Sequence, residues 1–390
     1  MNKYNFDKTT DRRNTHSYKW DTHLPENTLP MFVADMDFEV LPEIKNALLK
    51  RVNIGSFGYT FIPEEYYLAF QSWWEKRHNI HFEREWMIYS SGVIPAISSI
   101  VRRITKEGDN VLMLEPIYNT FYNSILNNKR KAVESKIIYK NGAFAIDFED
   151  LELKMSDPHT ELMIFCNPHN PIGKIWNKEE INKVANLALK HNVKILSDEI
   201  HCDIVKPGCS YNPFLLAAPQ SKDILITCIS AAKVFNMSGL QCACVVIPNE
   251  ALRKYIDRGL NNDEVAEPNF FAIDPVIAAF KYGEEYVDEL NQYIQNNKEY
   301  VYDFFERNYP KATVIKGEAT YLMWVDLGEY IQSSDQFVEE LVKETGLLLA
   351  SGRKYGPDGE GFVRINVGTS LSNVKDGMNR IKSYFDRRNK

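Results

Sequence analysis

Long apolar runs are missing from this chain of 390 residues, and none approaches the roughly 18 consecutive residues that crossing a bilayer takes. The first residues, Met-Asn-Lys-Tyr-Asn-Phe-Asp, hold no apolar stretch of the signal-peptide kind, so a cytoplasmic protein is expected. Basic charge is not in excess: 46 Lys and Arg stand against 53 Asp and Glu, a net charge of −7. That balance excludes the broad positive footprint by which proteins grip nucleic acid or an anionic membrane surface. The basic terminus Asp386-Arg387-Arg388-Asn389-Lys390 reads as a solvated tail. Repeats, low-complexity tracts and Pro/Ser-rich linkers are absent. The six cysteines form no C-x₂-C module, which argues against a zinc ribbon; buried reduced thiols are expected instead. Cys242 and Cys244 alternate in a strand-like run and are expected to share one face.

What the sequence does hold is a globular composition, 44% apolar and 25% charged, enough to fill a sizeable core. The length predicts two or three lobes. The middle alternates short β-branched runs with amphipathic stretches, the pattern of an α/β fold with a mostly parallel sheet. Seven strands are predicted, at 86–89, 111–114, 134–139, 162–166, 193–197, 224–229 and 242–247. Helices are predicted at 64–78, 94–106, 178–191 and 335–345, with Asn177 as the cap of the third. After about residue 285 a long helical pattern leads into a strand-rich segment and a closing helix. Residues 46–285 are therefore expected to form a large domain. Residues 286–390 are expected to form a smaller α+β domain, to which 1–45 contribute.

In an open α/β sheet, ligands lie just outside the carboxyl ends of the strands, and here the unusual polar residues fall at those ends. Strand 86–89 runs into Ser90-Ser91-Gly92-Val93, which opens a helix, and 111–114 ends at Glu115-Pro116-Ile117-Tyr118. Strand 162–166 delivers Asn167-Pro168-His169-Asn170-Pro171-Ile172-Gly173, and 193–197 delivers Asp198-Glu199-Ile200-His201. Strand 224–229 delivers Ser230-Ala231-Ala232-Lys233. Taken singly, each has an ordinary use: Asp198 as a helix cap, Asn167 as a turn residue, His201 and Tyr118 as core residues, Arg364 as a strand arginine in an ion pair. Together they point at one crevice.

In this order the motifs resemble the fold-type I pyridoxal-5′-phosphate (PLP) enzymes of the class I/II aminotransferase superfamily, over nearly the whole chain. Within it the chain is most similar to cystathionine β-lyases of the MalY/PatB type, also called C–S lyases. The resemblance rests on Pro30-Met-Phe-Val-Ala-Asp-Met-Asp-Phe38, Phe57-Gly-Tyr-Thr60, Asn167-Pro-His-Asn-Pro171, Ser197-Asp-Glu-Ile-His201 and Lys233-Val-Phe-Asn-Met-Ser-Gly-Leu240.

The resemblance implies PLP held as a Schiff base on Lys233, which also moves the Cα proton. It implies Asp198 on the pyridine nitrogen, Asn167 and His201 at the phenolate oxygen, and Tyr118 stacked on the ring. The phosphate falls to Gly92 and Val93 at a helix start, where unpaired N–H groups and the macrodipole favour an anion. Ser230 and Tyr59 complete it, with Tyr59 coming from the second subunit of a homodimer. Arg364 is implied for the substrate carboxylate, a planar fork suited to that group, and Tyr59 is implied at the substrate as well. Two departures stand out: Ala232 where the superfamily often has serine, and Gln241 where it often has arginine. Met36, Asp37 and Trp324 are expected in the pocket wall. The activity implied is β-elimination from L-cystathionine or a related cysteine thioether to thiol, pyruvate and ammonia. The alternatives are a class I/II aminotransferase and, further off, a PLP-binding regulatory protein.

Overall fold

The computed structural model describes residues 3–21, 25 and 27–388. Met1, Asn2 and, in the basic tail, Asn389 and Lys390 lie outside the described residues. Eight strands make the main sheet. Their spatial order is Met87–Ser90, Ala243–Val246, Leu225–Ile229, Lys194–Asp198, Thr160–Cys166, Asn110–Glu115, Lys131–Lys140 and Ala143–Ile146. The four central strands and Lys131–Lys140 run parallel, whereas Ala243–Val246 and Ala143–Ile146 run against their neighbours. Since Met87–Ser90 is antiparallel to an antiparallel strand, it points the same way as the centre. The carboxyl ends of the strands before Gly92, Glu115, Asn167, Asp198 and Ser230 therefore share one edge.

Strands buried on both faces read as unbroken apolar runs, and their period of two assigns alternate residues to opposite faces. Val111, Met113, Leu162 and Ile164 pack with Ile97 and Ile100 of helix Val93–Ile104 and with Ile256 and Leu260 of helix Glu250–Asn262. Leu112, Leu114, Met163 and Phe165 face the other way, into a core shared with Ile181 and Val184 of helix Lys178–His191. Each such side chain, fully buried, contributes roughly 1.5–3 kcal/mol. Asn177 caps that helix in a reciprocal box with Glu180, so the predicted start is where the helix begins.

The expectation of seven strands falls short by one. The eighth, Ala143–Ile146, folds back on Lys131–Lys140 through Asn141-Gly142, both at positive φ (53° and 77°). Asn-Gly is the two-residue hairpin signal, and it was present in the sequence.

A second, antiparallel sheet has the order Thr313–Val314, Leu322–Asp326, Phe362–Asn366, Ala350–Ser351. Helices Ser334–Thr345 and Leu371–Arg388 pack beside it, with Phe337 stacked on Phe385 at 5.6 Å. The amino-terminal stretch is tied to the same region: Leu29–Pro30 pairs with Leu347–Leu348, and Asn366 Nδ2 donates to Val33 O and Asp35 O. This lays residues 33–37 across the open edge of the main sheet. Among the described residues no helix is long and apolar enough to cross a membrane, and none of the six cysteines is in a disulfide; only Cys209 is partly exposed. Cys242 and Cys244 face the same core, as the alternation implied.

Candidate active site

A cavity of about 230 Å³ opens at the shared strand edge. Gly92, Val93, Tyr118, Asp198, His201, Ser230 and Lys233 line it, together with Ala34, Asn170, Ala232 and Gln241.

Lys233 sits just past the strand Leu225–Ile229 and its Nζ donates to Ala34 O at 2.8 Å. Burial pulls its pKa below the ordinary lysine range, and Arg364 adds to that, while the Asp35 and Asp198 carboxylates oppose it. Asp198 ends the strand Lys194–Asp198, and its Oδ1 accepts from Ile200 N at 3.2 Å. Burial pushes this carboxyl up to about 6, against its backbone hydrogen bond and the Lys233 charge. A buried carboxyl so placed is ready to take a cation. His201 is buried and held neutral, its pKa drawn down to about 3 by burial and by the Lys233 and Arg364 charges. Its Nδ1 has no partner.

At one end of the cavity Gly92 leads into helix Val93–Ile104, whose first turn has no intrahelical acceptor for the Val93 and Ile94 N–H groups. Ser230 Oγ is anchored there, donating to Cys242 O at 2.6 Å and accepting from Ala232 N at 3.1 Å. Tyr118 stands edge-on to Phe121, with ring centres 5.5 Å apart. Burial at the opposite side encloses Arg364, on the strand Phe362–Asn366. Its Nη1 donates to Asn170 Oδ1 at 3.0 Å and its Nη2 to Phe32 O at 2.7 Å, while Nε has no partner. The guanidinium lies 4.7 Å from the Tyr355 ring centre.

Three of the predicted site residues do not line this chain's cavity, as is expected of Tyr59, which the resemblance assigns to the second subunit. Asn167 does not line the cavity: its Nδ2 donates to Asn212 O at 2.9 Å and its N–H to Asp198 O, so it braces the strand ends from behind. Asn170, three residues on in the same motif, occupies the wall instead. Arg364 is hydrogen-bonded to the cavity-lining Asn170. Tyr59 is fully exposed and belongs to no part of this chain's cavity. Nor do Met36, Asp37 and Trp324 form its wall. Met36 is sealed in the core, Asp37 is ion-paired with Lys19, and Trp324 stacks on Phe362 at 5.1 Å.

A family model described as aminotransferase class I and II matches residues 27–381. The chain belongs to that family. Its relatives include the cystathionine β-lyase PatB of Bacillus subtilis, 38% identical over 97% of this chain and 99% of that protein. Two solved structures are similar throughout. The PLP-bound C–S lyase of Staphylococcus hominis shares 34% identity at a TM-score of 0.92, covering 97% of this chain and 98% of the other. Cystalysin of Treponema denticola, which contains PLP, shares 30% identity at a TM-score of 0.95, covering 98% and 99%.

The donor set at this site of a class I/II chain fits PLP. A buried carboxylate suits a ring nitrogen, unpaired helix N–H groups suit a phosphate, and a buried lysine lies between them. The unpartnered His201 Nδ1 and Arg364 Nε are buried polar atoms of the kind a bound molecule satisfies. Asn170 is the residue that sequence reasoning passed over. It stands before Pro171-Ile172-Gly173, and Gly173 at φ 68° turns that loop into the site.

Proposed function

We propose that this protein is a PLP-dependent carbon–sulfur β-lyase, cleaving L-cystathionine or a related cysteine thioether to a thiol, pyruvate and ammonia. The observation that carries this reading is likeness to a cystathionine β-lyase along 97% of the chain, joined to a cavity shared by a buried lysine and a buried aspartate.

Bound PLP supplies the electron sink for the charge left when the Cα–H bond breaks, provided its ring nitrogen stays protonated. Asp198 is the residue for that nitrogen: burial raises its pKa, and a cation beside it restores the carboxylate. Lys233 holds the cofactor and moves the Cα proton, and burial lowers its pKa toward the neutral amine that both tasks need. Arg364 takes the substrate carboxylate. Asn170 and Phe32 O fix two of its nitrogens and leave Nε without a partner. Asn170 Nδ2 and His201, neutral and within the wall, serve the phenolate side. The Val93 and Ile94 N–H groups take the phosphate, and Ser230 Oγ joins them by turning its proton from Cys242 O. Ala232 and Gln241 add no cation there, so dipoles hold the dianion on this chain.

In this reading the protein is a homodimer, and Tyr59 of a second copy reaches the phosphate. The exposed Phe57, Tyr59 and Phe61, with Phe57 packed on Phe270 and Phe271, make an apolar surface that suits such a contact. Residues 46–285 form the large domain, and 1–45 with 286–390 the smaller one, a division supported by the separate antiparallel sheet.

The test is product analysis of PLP-loaded protein with L-cystathionine and no keto acid. Pyruvate and free thiol formed together, and lost in Lys233→Ala, are expected. Amino-group transfer that requires an added keto acid, without pyruvate from cystathionine, would replace the lyase by an aminotransferase.

A further inference from the structure

The amino-terminal stretch carries a charge cluster that the chemistry above does not use. Lys19 Nζ meets Asp37 Oδ2 at 2.9 Å, with both side chains 1% exposed, so this pair is sealed and structural. Arg12 meets Asp35 at 2.8 Å, and here the side chains are 25% and 26% exposed. The open pair is therefore reachable by solute where the closed one is not. Arg12 also touches Asp37 at 3.3 Å, yet its Nε, buried, has no partner.

The position of the open pair is set by the backbone. Ala34 O receives Lys233 Nζ, so Asp35 is the next residue along from the atom that holds the amine. Asn366 Nδ2 and Lys19 Nζ both donate to Asp35 O, which pins the residue there. Its charge is felt in the site. Burial lowers the Lys233 pKa, and Asp35 is the strongest charge opposing it. After burial, Asp35 is also the largest influence raising the Tyr321 hydroxyl.

A carboxylate and a guanidinium, each about a quarter exposed and paired next to the cavity-lining Ala34, match a zwitterion's two charges. We propose that Asp35 and Arg12 bind the distal amino-acid end of the substrate, Asp35 taking its ammonium and Arg12 its carboxylate. The preferred substrates are then thioethers that carry a second α-amino acid group, as L-cystathionine does. This rests on the lyase reading and narrows its substrate class.

The experiment compares kcat/KM of the PLP-loaded enzyme for L-cystathionine and for two analogues. S-(3-carboxypropyl)-L-cysteine lacks the distal amine, and S-(3-aminopropyl)-L-cysteine lacks the distal carboxylate. Wild type is expected to prefer L-cystathionine over each by about tenfold or more, the worth of one charged hydrogen bond. Asp35→Asn should collapse the preference over the desamino analogue toward one, whatever its absolute rate, and Arg12→Gln the preference over the descarboxy analogue. Wild-type ratios near one overturn the proposal without any variant, and so do preferences that survive both substitutions. A uniform loss on all three substrates would instead assign Asp35 to tuning Lys233, and would overturn it too. If wild type releases no pyruvate from any of them, the lyase reading itself has failed.

Discussion

Arg364 Nη1 donates to Asn170 Oδ1 at 3.0 Å across 194 positions of sequence, joining the antiparallel sheet to the loop at the main sheet's edge. The guanidinium is thereby oriented, in the proposed role before any carboxylate arrives, and that orientation is lost if the asparagine is removed. Asn170→Ala is expected to lower kcat/KM for L-cystathionine roughly ten- to hundredfold, since a misplaced positioning group is that costly. Asn167→Ala removes the bond to Asn212 O behind the wall. It should cost about 1–3 kcal/mol of stability, with the smaller effect on rate. Steady-state kinetics and urea unfolding of both variants check the contrast. The opposite order would return the role to Asn167.

Asp198 gives a signed pH prediction for the cofactor-free protein. Its carboxyl titrates near 6 when folded, against 3.8 as the ordinary value, because burial disfavours the charge. Between those values the native state binds more protons than the unfolded one. Stability therefore falls as pH rises through that window, by roughly 3 kcal/mol in all, and stays level above it. Asp198→Asn lacks this titration, so its cofactor-free form should gain on wild type from about pH 4 to 6 and keep the gain at pH 8. Thermal melts across that range check it. In the PLP-loaded state the same substitution should reduce activity, because the ring nitrogen loses its anionic partner.

Strands and helices were largely legible because burial writes a period into the sequence. Thr160–Cys166 and Asn110–Glu115 are apolar on both faces, and helix Lys178–His191 announces its start with Asn177 and Glu180. The convergence of strand ends was legible for the same reason, since Lys233 and Asp198 each follow a buried run. What the pattern hid was anything decided between distant segments. Two Asn-Pro pairs stand three residues apart, and only the approach of Arg364 shows that the second enters the site. Asp35 reads as one acid of a motif until Asn366 and Lys19 fix its backbone beside Lys233. Met36, Asp37 and Trp324 lie close in sequence or pairing to site residues, yet Met36 is sealed in the core, Asp37 is held by Lys19 and Trp324 stacks on Phe362.

Gly173 shows how tightly the Asn170 loop is held. Its φ is 68°, its O accepts from Ala319 N at 2.9 Å, and a Cβ would stand 2.9 Å from Ala319 O. Gly173→Ala therefore meets both a strained backbone and a backbone atom that cannot swing aside. A loss of about 1–3 kcal/mol is expected, and kcat/KM should fall with it as Asn170 shifts. Urea unfolding at constant m-value, run beside the lyase assay, measures both. An unchanged midpoint would mean that the loop yields more easily than this packing implies.

The fully exposed Tyr59 tests whether sites are shared between copies. If Tyr59 of one copy serves the phosphate at Lys233 of another, Tyr59→Ala and Lys233→Ala each inactivate every site in their own homodimers. In a mixed dimer both lesions fall on the same site and the other site is whole. Equal mixing with free exchange makes half the dimers mixed, each with one intact site, so activity should recover to roughly a quarter of wild type. Co-expression with two affinity tags, followed by isolation of the mixed species, sharpens the figure to about one half of wild type per dimer. Failure of any activity to return would place Tyr59 within its own chain's site or outside the machinery altogether. A monomer in sedimentation, active at full rate, would remove the shared site outright.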